Sequence, residues 1–402
     1  MTGIGTGFIH KFRAAFFAIL GLKKSLIVLL FWALLISLSL AYAEPVWEDG
    51  PPNLFPQSQG VSERRSPELP RISLPFETGS RAHTEAPENN KGPIDPVSVS
   101  VLPASREFSD GPYFALIPSR VRAGEPITVA YTDDFSQGGS ANLQAVLLNN
   151  QGRRIARATF FNFSGAFEAG EMKIAVLAVP STAGNGSFSV RIEAGTQFIQ
   201  ELPLTVDPRD FVSEVIALDE ENTALLTVPD PQKTAEAERL WAILSRTGTV
   251  IYDNGPFISP VNSTRLTSFY GDRRVFRYID GSTDTSIHGG IDFGVPTGTE
   301  VRSCAAGRVV FAEFRIVTGH SVIVEHLPGV FSLYYHLDSI DVEENVLVDT
   351  GTLLGYSGST GLATGPHLHW EIRIAGENSD PDAFTARPIL DKDEILRNLT
   401  RY

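Results

Sequence analysis

Cysteine is almost absent from this chain of 402 residues, which contains only Cys304. No disulfide can form within the chain, so a small fold held together by several disulfides is excluded. A purely structural zinc site is also disfavoured, because such sites are usually closed by four ligands and are rich in cysteine. Cys304 lies among small residues and is interpreted as a buried filler. Stability must then come from packed hydrophobic cores, and the chain is long enough for two.

Positive charge is also scarce. The chain has 33 Lys and Arg residues against 47 Asp and Glu residues, which gives a formal net charge of −14. It shows no basic stripe and no nucleic-acid recognition motif. Because affinity for nucleic acids depends largely on Lys and Arg contacts to phosphates, no nucleic-acid partner is expected.

Residues 1–43 have the order of a secretory signal peptide. A basic leader precedes an apolar run at residues 26–40, and Ala41-Tyr42-Ala43 forms a small-x-small cleavage signature. An uncleaved membrane anchor is the alternative, because the leader has a second apolar patch at residues 14–22, although the main run is short for a span of about 20 residues. In both cases we expect export to the periplasm or cell envelope, with an inner-membrane anchor in the second case.

Residues 44–110 are polar and rich in proline, and no helical or alternating period persists in them. This composition predicts a disordered spacer.

Residues 111–208 contain seven short runs of alternating hydrophobicity, separated by turn residues. The pattern predicts an immunoglobulin-like β-sandwich without the usual disulfide. Nothing in it carries chemistry, so we expect a spacer, a cover for the neighbouring domain or a docking module for a cell-envelope protein. The runs span residues 113–117, 127–131, 143–148, 156–161, 172–179, 188–192 and 198–206.

Residues 209–253 form a connection in which a strand pair is predicted over residues 212–228. A helix is predicted over residues 234–245, capped by Thr234 and closed by Gly248. Its apolar stripe indicates that it fastens the sandwich to the C-terminal domain. Residues 391–402 are predicted to form a tail with one more short helix.

Histidine is rare as well, with eight residues, yet four of them fall with one aspartate into three short patterns. These patterns are His288-Gly289-Gly290-Ile291-Asp292, Tyr335-His336-Leu337 and His367-Leu368-His369. A catalytic zinc ion takes three protein ligands and keeps one open position. Residues an even number apart on a strand share a face, so each of the two spaced pairs can reach one metal if its segment is a strand. The glycines between the first pair predict close packing beside the metal.

Five candidates exceed the three ligands that such a site needs. A hydrolase also needs a group that takes a proton from water and a donor for the developing oxyanion, and neutral histidine suits both tasks. A lone histidine is more often a packing or surface residue, but two such patterns rarely arise by chance with so few histidines. Spacing alone does not decide which three residues bind metal.

Two further residues are candidates for supporting roles. Glu371 shares the strand parity of His367 and His369, so it can orient a ligand imidazole, and an ordinary solvent-facing glutamate is the alternative. Tyr270 is interpreted by default as a half-buried aromatic, and donation to a substrate carbonyl from the rim of a cleft is the alternative.

The three patterns resemble those of the lysostaphin-type (LytM-like) zinc endopeptidases, which cut peptide bonds in peptidoglycan. The resemblance extends over residues 257–389 and includes Tyr270-Gly271-Asp272-Arg273 and the glycine-rich turn at residues 355–361. It implies that His288, Asp292 and His369 hold Zn²⁺ and that His336 and His367 are the catalytic pair. It also implies an antiparallel β domain with a groove, over residues 254–390. All five of these residues are of the type that the family pattern has at the matching position.

The sequence therefore predicts a mostly β protein, with an immunoglobulin-like sandwich followed by a LytM-like peptidase domain. The predicted function is that of an exported zinc metalloendopeptidase acting on cross-links or stem peptides of peptidoglycan. The alternative is a non-enzymatic or autoinhibited regulator that binds the wall and activates other wall hydrolases. Retention of all five positions argues against a non-enzymatic role.

Overall fold

The computed structural model describes residues 112–132, 142–163 and 172–401. The predicted leader (1–43) and the predicted spacer (44–110) lie outside the described residues. In the part of the chain that is described, no helix combines the length and apolar character needed to cross a membrane. These residues form a mostly β structure, as the sequence predicts.

Two sheets are built from nine strands in the N-terminal part. The strands are β1 (Tyr113–Ile117), β2 (Arg120–Arg122), β3 (Pro126–Thr132), β4 (Leu143–Leu148), β5 (Arg154–Thr159), β6 (Phe161–Phe163), β7 (Met172–Ala178), β8 (Gly186–Ala194) and β9 (Gln197–Asp207). One sheet has the order β1-β3-β7-β6 and the other has the order β2-β9-β8-β4-β5. Each of the seven predicted runs is a strand, and the run at residues 156–161 is divided between β5 and β6. Strand β2 was not predicted, because three residues are too few to show alternation.

The two sheets face each other across a shared core, to which Ile127 and Leu177 contribute from one sheet and Leu147 and Val190 from the other. Strand β7 is buried on both faces, which explains why its sequence is almost continuously apolar. Its second face belongs to another core, described below.

The connection between the sandwich and the C-terminal domain contains β10 (Ser213–Ala217), α1 (Glu220–Thr227) and α2 (Pro231–Leu244). The predicted strand pair over residues 212–228 is therefore wrong in its second half, which is helical. Helix α1 begins there because the Asp219 side chain accepts a hydrogen bond from the Asn222 amide. Two glutamates in its first turn also suit the positive end of the helix dipole.

Helix α2 lies where a helix was predicted, but its cap and its contacts differ from the prediction. It begins at Pro231, capped by Asp230, rather than at Thr234. Its buried residues Leu240, Ile243 and Leu244 pack in a cluster with residues of the C-terminal sheet, such as Phe311. The helix therefore packs against the C-terminal domain, as predicted, and its buried face contacts that domain rather than the sandwich.

The C-terminal domain contains twelve strands and two short helices among the described residues. The strands are β11 (Leu266–Ser268), β12 (Arg273–Arg277), β13 (Thr283–Ile287), β14 (Ile291–Phe293), β15 (Glu300–Arg302), β16 (Gly307–Arg315), β17 (Gly319–Leu327), β18 (Val330–Ile340), β19 (Leu347–Val348), β20 (Leu353–Ser357), β21 (Leu368–Ile374) and β22 (Glu377–Ser379). The helices are α3 (Asp382–Ala386) and α4 (Lys392–Asn398). The second of them confirms the predicted helical tail.

These strands form a large sheet and a small one. The central path of the large sheet is β11-β14-β21-β18-β17-β16-β19, and β15, β20 and β22 pair beside it. The small sheet has the order β10-β12-β13, so the connection contributes one of its three strands. Within it, β10 runs parallel to β12.

The four-stranded sheet of the sandwich and the large C-terminal sheet share one hydrophobic core. Met172 and Ile174 on β7 belong to the same buried cluster as Trp370 and Ile372 on β21. The chain after α4 also returns to the sandwich, where the backbones of Phe114 and Thr400 exchange two hydrogen bonds of 2.9 Å. The sandwich is thus a structural support of the C-terminal domain as well as its neighbour in the sequence.

Candidate metal and catalytic site

Two neighbouring strands of the large sheet bring Asp292 and His369 side by side. Strands β14 and β21 are antiparallel, and in their register Asp292 lies directly opposite His369. On the far side of β21, Tyr335 of β18 also lies opposite His369, and its ring stacks on that imidazole with centroids 5.6 Å apart. The sheet therefore fixes this part of the site through strand pairing between residues far apart in sequence.

His288 reaches the same place from a turn. It lies after the end of β13 and before β14, so the condition that a single strand carries both His288 and Asp292 is not met, and only Asp292 lies on a strand. Its position is set instead by two backbone hydrogen bonds of 2.9 Å, one to Asp272 and one from Gly271. The prediction that glycines allow close packing here is confirmed, because a Cβ at Gly290 would overlap the carbonyl oxygen of Trp370.

Three potential ligand atoms converge at this point. His288 Nε2 lies 3.0 Å from Asp292 Oδ1 and 2.9 Å from His369 Nδ1, and His369 Nδ1 lies 2.6 Å from Asp292 Oδ1. All three side chains are buried, and together they form a group able to hold a metal ion. Two imidazole nitrogens and one carboxylate oxygen are donors that zinc takes, in the number found at catalytic zinc sites. The residues present therefore fit a zinc ion.

Hydrogen bonds select the nitrogen that each ligand histidine presents. His288 Nδ1 lies 2.8 Å from the Phe269 carbonyl oxygen, so it carries the proton and leaves the Nε2 lone pair free. His369 Nε2 lies 3.0 Å from Glu371 Oε1, which leaves Nδ1 for the metal. Glu371 is itself fixed by Arg373 Nε, which donates to its second oxygen at 2.8 Å. Glu371 thus lies behind a ligand imidazole, where partners of metal-bound histidines are commonly found.

The electrostatics of the cluster favour a cation. Burial lowers the pKa of His369, but the charges and hydrogen bonds of Asp292 and Glu371 outweigh burial and raise it to about 9. Burial raises the pKa of Asp292, but the neighbouring His369 and His288 bring it well below its ordinary value. The two carboxylates therefore stabilise positive charge between the imidazoles, whether a proton or a metal ion supplies it.

His336 and His367 lie next to the ligand cluster and next to each other. Their ring centroids are 4.8 Å apart, and His367 Nε2 is 3.9 Å from Asp292 Oδ1. His336 Nδ1 lies 2.7 Å from the Thr360 carbonyl oxygen and His367 Nδ1 lies 2.8 Å from the Gly365 carbonyl oxygen. Both Nδ1 atoms therefore carry the proton, and both Nε2 atoms are free acceptors.

Burial keeps these two imidazoles neutral. Burial, together with the charges of His367 and His369, lowers the pKa of His336 to about 3. It also lowers the pKa of His367. Near neutral pH, both side chains can accept a proton at Nε2, and all five predicted positions meet in one place.

His336 has a backbone conformation that few residues other than glycine adopt, with φ of 59°. It lies where β18 stops pairing with β21 and begins to pair with β20. A left-handed backbone conformation costs about 1–2 kcal/mol for a residue other than glycine. Here it occurs at the residue whose side chain lies beside His367. No local sequence pattern signals it.

Tyr270 is buried rather than at the rim of a cleft, so the substrate-binding alternative is wrong and the aromatic interpretation applies, with deeper burial than expected. It is 3% exposed, its hydroxyl donates to the Asn378 carbonyl oxygen at 3.1 Å, and burial raises its pKa. Its ring contacts Phe211 of the connection edge to face, with centroids 6.4 Å apart. Tyr270 therefore supports the turn that positions His288 rather than contacting substrate.

One polar neighbour of the site was not predicted. Arg274 on β12 donates from Nη2 to Asp292 Oδ2 at 2.8 Å. It belongs to the small sheet, so neither strand parity nor spacing within the three patterns could indicate it.

Comparison with protein families agrees with this geometry. Residues 286–381 match the family model described as Peptidase family M23. The chain carries an M23 peptidase domain. The matched segment contains all five residues of the site together with Glu371, whereas Arg274 lies before it.

The chain is similar to parts of curated proteins. It is 38% identical over 135 residues to the DD-carboxypeptidase/endopeptidase Mpg of Neisseria meningitidis serogroup B, which covers 33% of this chain and 30% of that protein. It is 35% identical over 118 residues to the peptidoglycan DD-endopeptidase ShyA of Vibrio cholerae, which covers 29% of this chain and 27% of that protein. The chain thus matches less than a third of the length of these relatives.

A solved structure resembles a larger part of the chain. The crystal structure of an M23 peptidase from Pseudomonas aeruginosa is 23% identical, with a TM-score of 0.44, and the match covers 66% of this chain and 94% of that one.

Proposed function

We propose that this protein is an exported zinc metalloendopeptidase that hydrolyses peptide bonds in peptidoglycan. The observation that carries the proposal is the convergence of His288, Asp292 and His369 beside two neutral imidazoles within an M23 domain. The substrate class is supported by the relatives, which are named as peptidoglycan DD-endopeptidase and DD-carboxypeptidase/endopeptidase. We therefore assign the cross-links between stem peptides as the bonds cleaved.

Each residue has a task that follows from its geometry. A zinc ion held by His288, Asp292 and His369 would supply Lewis-acid chemistry, polarising the scissile carbonyl and making the attacking water more acidic. His367 lies nearer to Asp292, and we assign its Nε2 to accept the proton of that water. His336 also presents a bare Nε2, so it can donate to the oxyanion or to the leaving amine only after it has gained a proton. The pair therefore moves a proton from water to the leaving group.

The test is digestion of purified sacculi by the zinc-loaded mature protein, with mass spectrometry of the products. We expect cross-linked muropeptide dimers to become monomers. A zinc chelator should abolish the release, and added Zn²⁺ should restore it. Intact dimers after incubation with protein of verified zinc content would contradict the proposal.

The remaining parts of the chain are assigned by their sequence. Residues 1–43 direct export, as a cleaved signal or as an inner-membrane anchor, and residues 44–110 are a spacer. Residues 111–208 are an immunoglobulin-like sandwich that supports the peptidase domain and offers a surface to a cell-envelope protein. Fractionation of expressing cells tests the first assignment, since the enzyme should leave the cytoplasm.

An autoinhibited enzyme is the second candidate, and a specific contact favours it. Leu362, in the loop that leads to His367, packs against Leu218, Phe276 and Tyr278. Asn222 of α1 also donates to the Ala363 carbonyl oxygen at 3.4 Å. The connection therefore contacts the loop of a catalytic residue, and the site residues are largely buried.

Loosening this contact tests the second candidate. Leu226 on α1 packs against the same cluster and lies outside the site. Leu226→Ser should therefore weaken the contact between the connection and the loop without changing any candidate catalytic or metal-binding residue. We expect turnover of sacculi to rise several-fold if the connection restrains the loop. Ala224→Ser, at an exposed position of the same helix, is the control. An unchanged rate in the Leu226 variant, with normal zinc content, would show that the observed arrangement is already active.

A further inference from the structure

The two oxygens of Asp292 have different surroundings. Oδ1 faces the ligand nitrogens of His288 and His369, at 3.0 and 2.6 Å. Oδ2 faces the other way and accepts a hydrogen bond of 2.8 Å from Arg274 Nη2. The carboxylate is thus held in one orientation by groups on both sides, and only one oxygen is turned towards the position of the metal.

Arg274 is itself held in place by two other elements. Its Nε donates to Glu214 Oε1 at 3.0 Å, and its Nη2 also donates to Ser268 Oγ at 2.7 Å. Ser268 Oγ lies 3.1 Å from Glu214 Oε1, so these three side chains form a closed set of contacts. The Arg274 side chain is only 18% exposed, which distinguishes its contacts from the mobile surface ion pairs that contribute little.

Part of this support for Arg274 comes from the connection. Glu214 lies on β10, in the connection, and in the parallel pairing of β10 with β12 it lies directly beside Arg274. Both residues precede the matched M23 segment. Glu214, in the connection, is therefore linked to the candidate metal ligand Asp292 through the side chain of Arg274.

We propose that Arg274, locked by Glu214 and Ser268, is a positioning residue that presents Asp292 to zinc through Oδ1 alone, and that the connection thereby sets the zinc affinity. The inference rests on the zinc site of the proposed function. Arg274 acts through Asp292 and does not contact the metal. The planar guanidinium is suited to this task, because it offers several donors in a fixed geometry.

Charge and position predict opposite results for the removal of Arg274. If the guanidinium acted only as a positive charge near the site, its removal would strengthen the binding of another cation. If it positions Asp292, its removal weakens zinc binding, because the carboxylate can then rotate. Loss of such supporting contacts commonly costs 10–100-fold in metal affinity.

The experiment measures the zinc dissociation constant by competition with a chromophoric chelator, on the mature chain. We expect Arg274→Gln to bind zinc about 10–100-fold more weakly than the wild type. Arg274→Lys keeps the positive charge but loses the planar set of guanidinium donors, so this variant should also bind zinc weakly. Arg277→Gln removes the same charge from an exposed position of the same strand, and it should bind normally.

A double variant tests the route from the connection. Glu214→Gln should weaken zinc binding by a smaller factor, and Glu214→Gln combined with Arg274→Gln should bind no more weakly than Arg274→Gln alone. The absorption spectrum of the cobalt-substituted protein should change in the Arg274 variants and not in Arg277→Gln, because it reports the ligand arrangement. The milder Lys and Glu214 variants provide the test if Arg274→Gln does not fold.

The outcomes separate this inference from the proposed function. Zinc binding by Arg274→Gln that equals or exceeds the wild-type affinity overturns the inference while the enzyme assignment stands. Independent, additive losses in the double variant overturn the role of Glu214. A wild-type chain that binds no zinc overturns the proposed function itself.

Discussion

Replacing His336 with alanine is expected to leave zinc bound and to reduce peptidoglycan turnover by about 10²–10⁴-fold, the usual contribution of a positioned acid or base. The reason is geometric. Its Nδ1 is engaged by the Thr360 carbonyl, and its ring lies beside His367 rather than in the ligand cluster. His369→Ala removes one of the three converging donor atoms, so it should lose both zinc and activity.

Zinc content measured by mass spectrometry and muropeptide release from sacculi distinguish the two variants. His336→Gly is a useful companion, because glycine tolerates the backbone φ of 59° at this position. If the loss of activity comes from chemistry and not from misfolding, the glycine and alanine variants should be equally inactive. Normal turnover by His336→Ala would remove this residue from the mechanism.

Separating the peptidase domain from the sandwich is expected to destabilise it severely. One face of the four-stranded sheet is buried in the core of the C-terminal domain, and this face includes Phe161, Phe163, Met172, Ile174 and Val176. Burying each such side chain contributes roughly 1.5–3 kcal/mol. The sum is on the order of 10 kcal/mol, which is comparable with the whole stability of a domain. A fragment of residues 254–402 should therefore lack a cooperative thermal transition.

Circular dichroism melts of three fragments would test this expectation. A chain starting at residue 112 should melt cooperatively. A fragment of residues 209–402 keeps β10 and α2 but not the sandwich, so it separates the contribution of the connection from that of the sandwich. If residues 254–402 alone melted cooperatively at the temperature of the longer chain, the shared core would be unnecessary for folding. Activity assays should accordingly use the whole mature chain.

The sequence was most informative where the structure depends on neighbours in the chain. Alternation along a strand is a local property, and it predicted each run of the sandwich correctly. The helix over residues 220–227 was not predicted, because its apolar residues also fit a strand pattern and the signal for a helix start is the single cap residue Asp219. Helix α2 begins at Pro231 rather than at the predicted Thr234, because Asp230 and Pro231 give the stronger start signal.

The same distinction applies to the site. The residue types and spacings of the three histidine patterns were sufficient to propose a metal cluster, because few side chains can bind zinc and fewer recur at such separations. They could not show that His288 lies in a turn, or that Tyr270 is buried beneath it. Both facts depend on contacts with Asp272, Gly271 and Phe211, which other segments supply.

By itself, the sequence determined the chemistry that is available: five metal-binding or proton-accepting side chains, a β-rich chain and no disulfide. Only the tertiary structure decided which nitrogen of each imidazole faces the cluster, that His336 adopts a left-handed conformation, and that Arg274 and Glu214 support Asp292. The physical reason is that the donors which fix a tautomer or orient a carboxylate come from strands that pair across long sequence separations. Such pairing is set by the packing of the whole domain and leaves no periodic pattern in the local sequence.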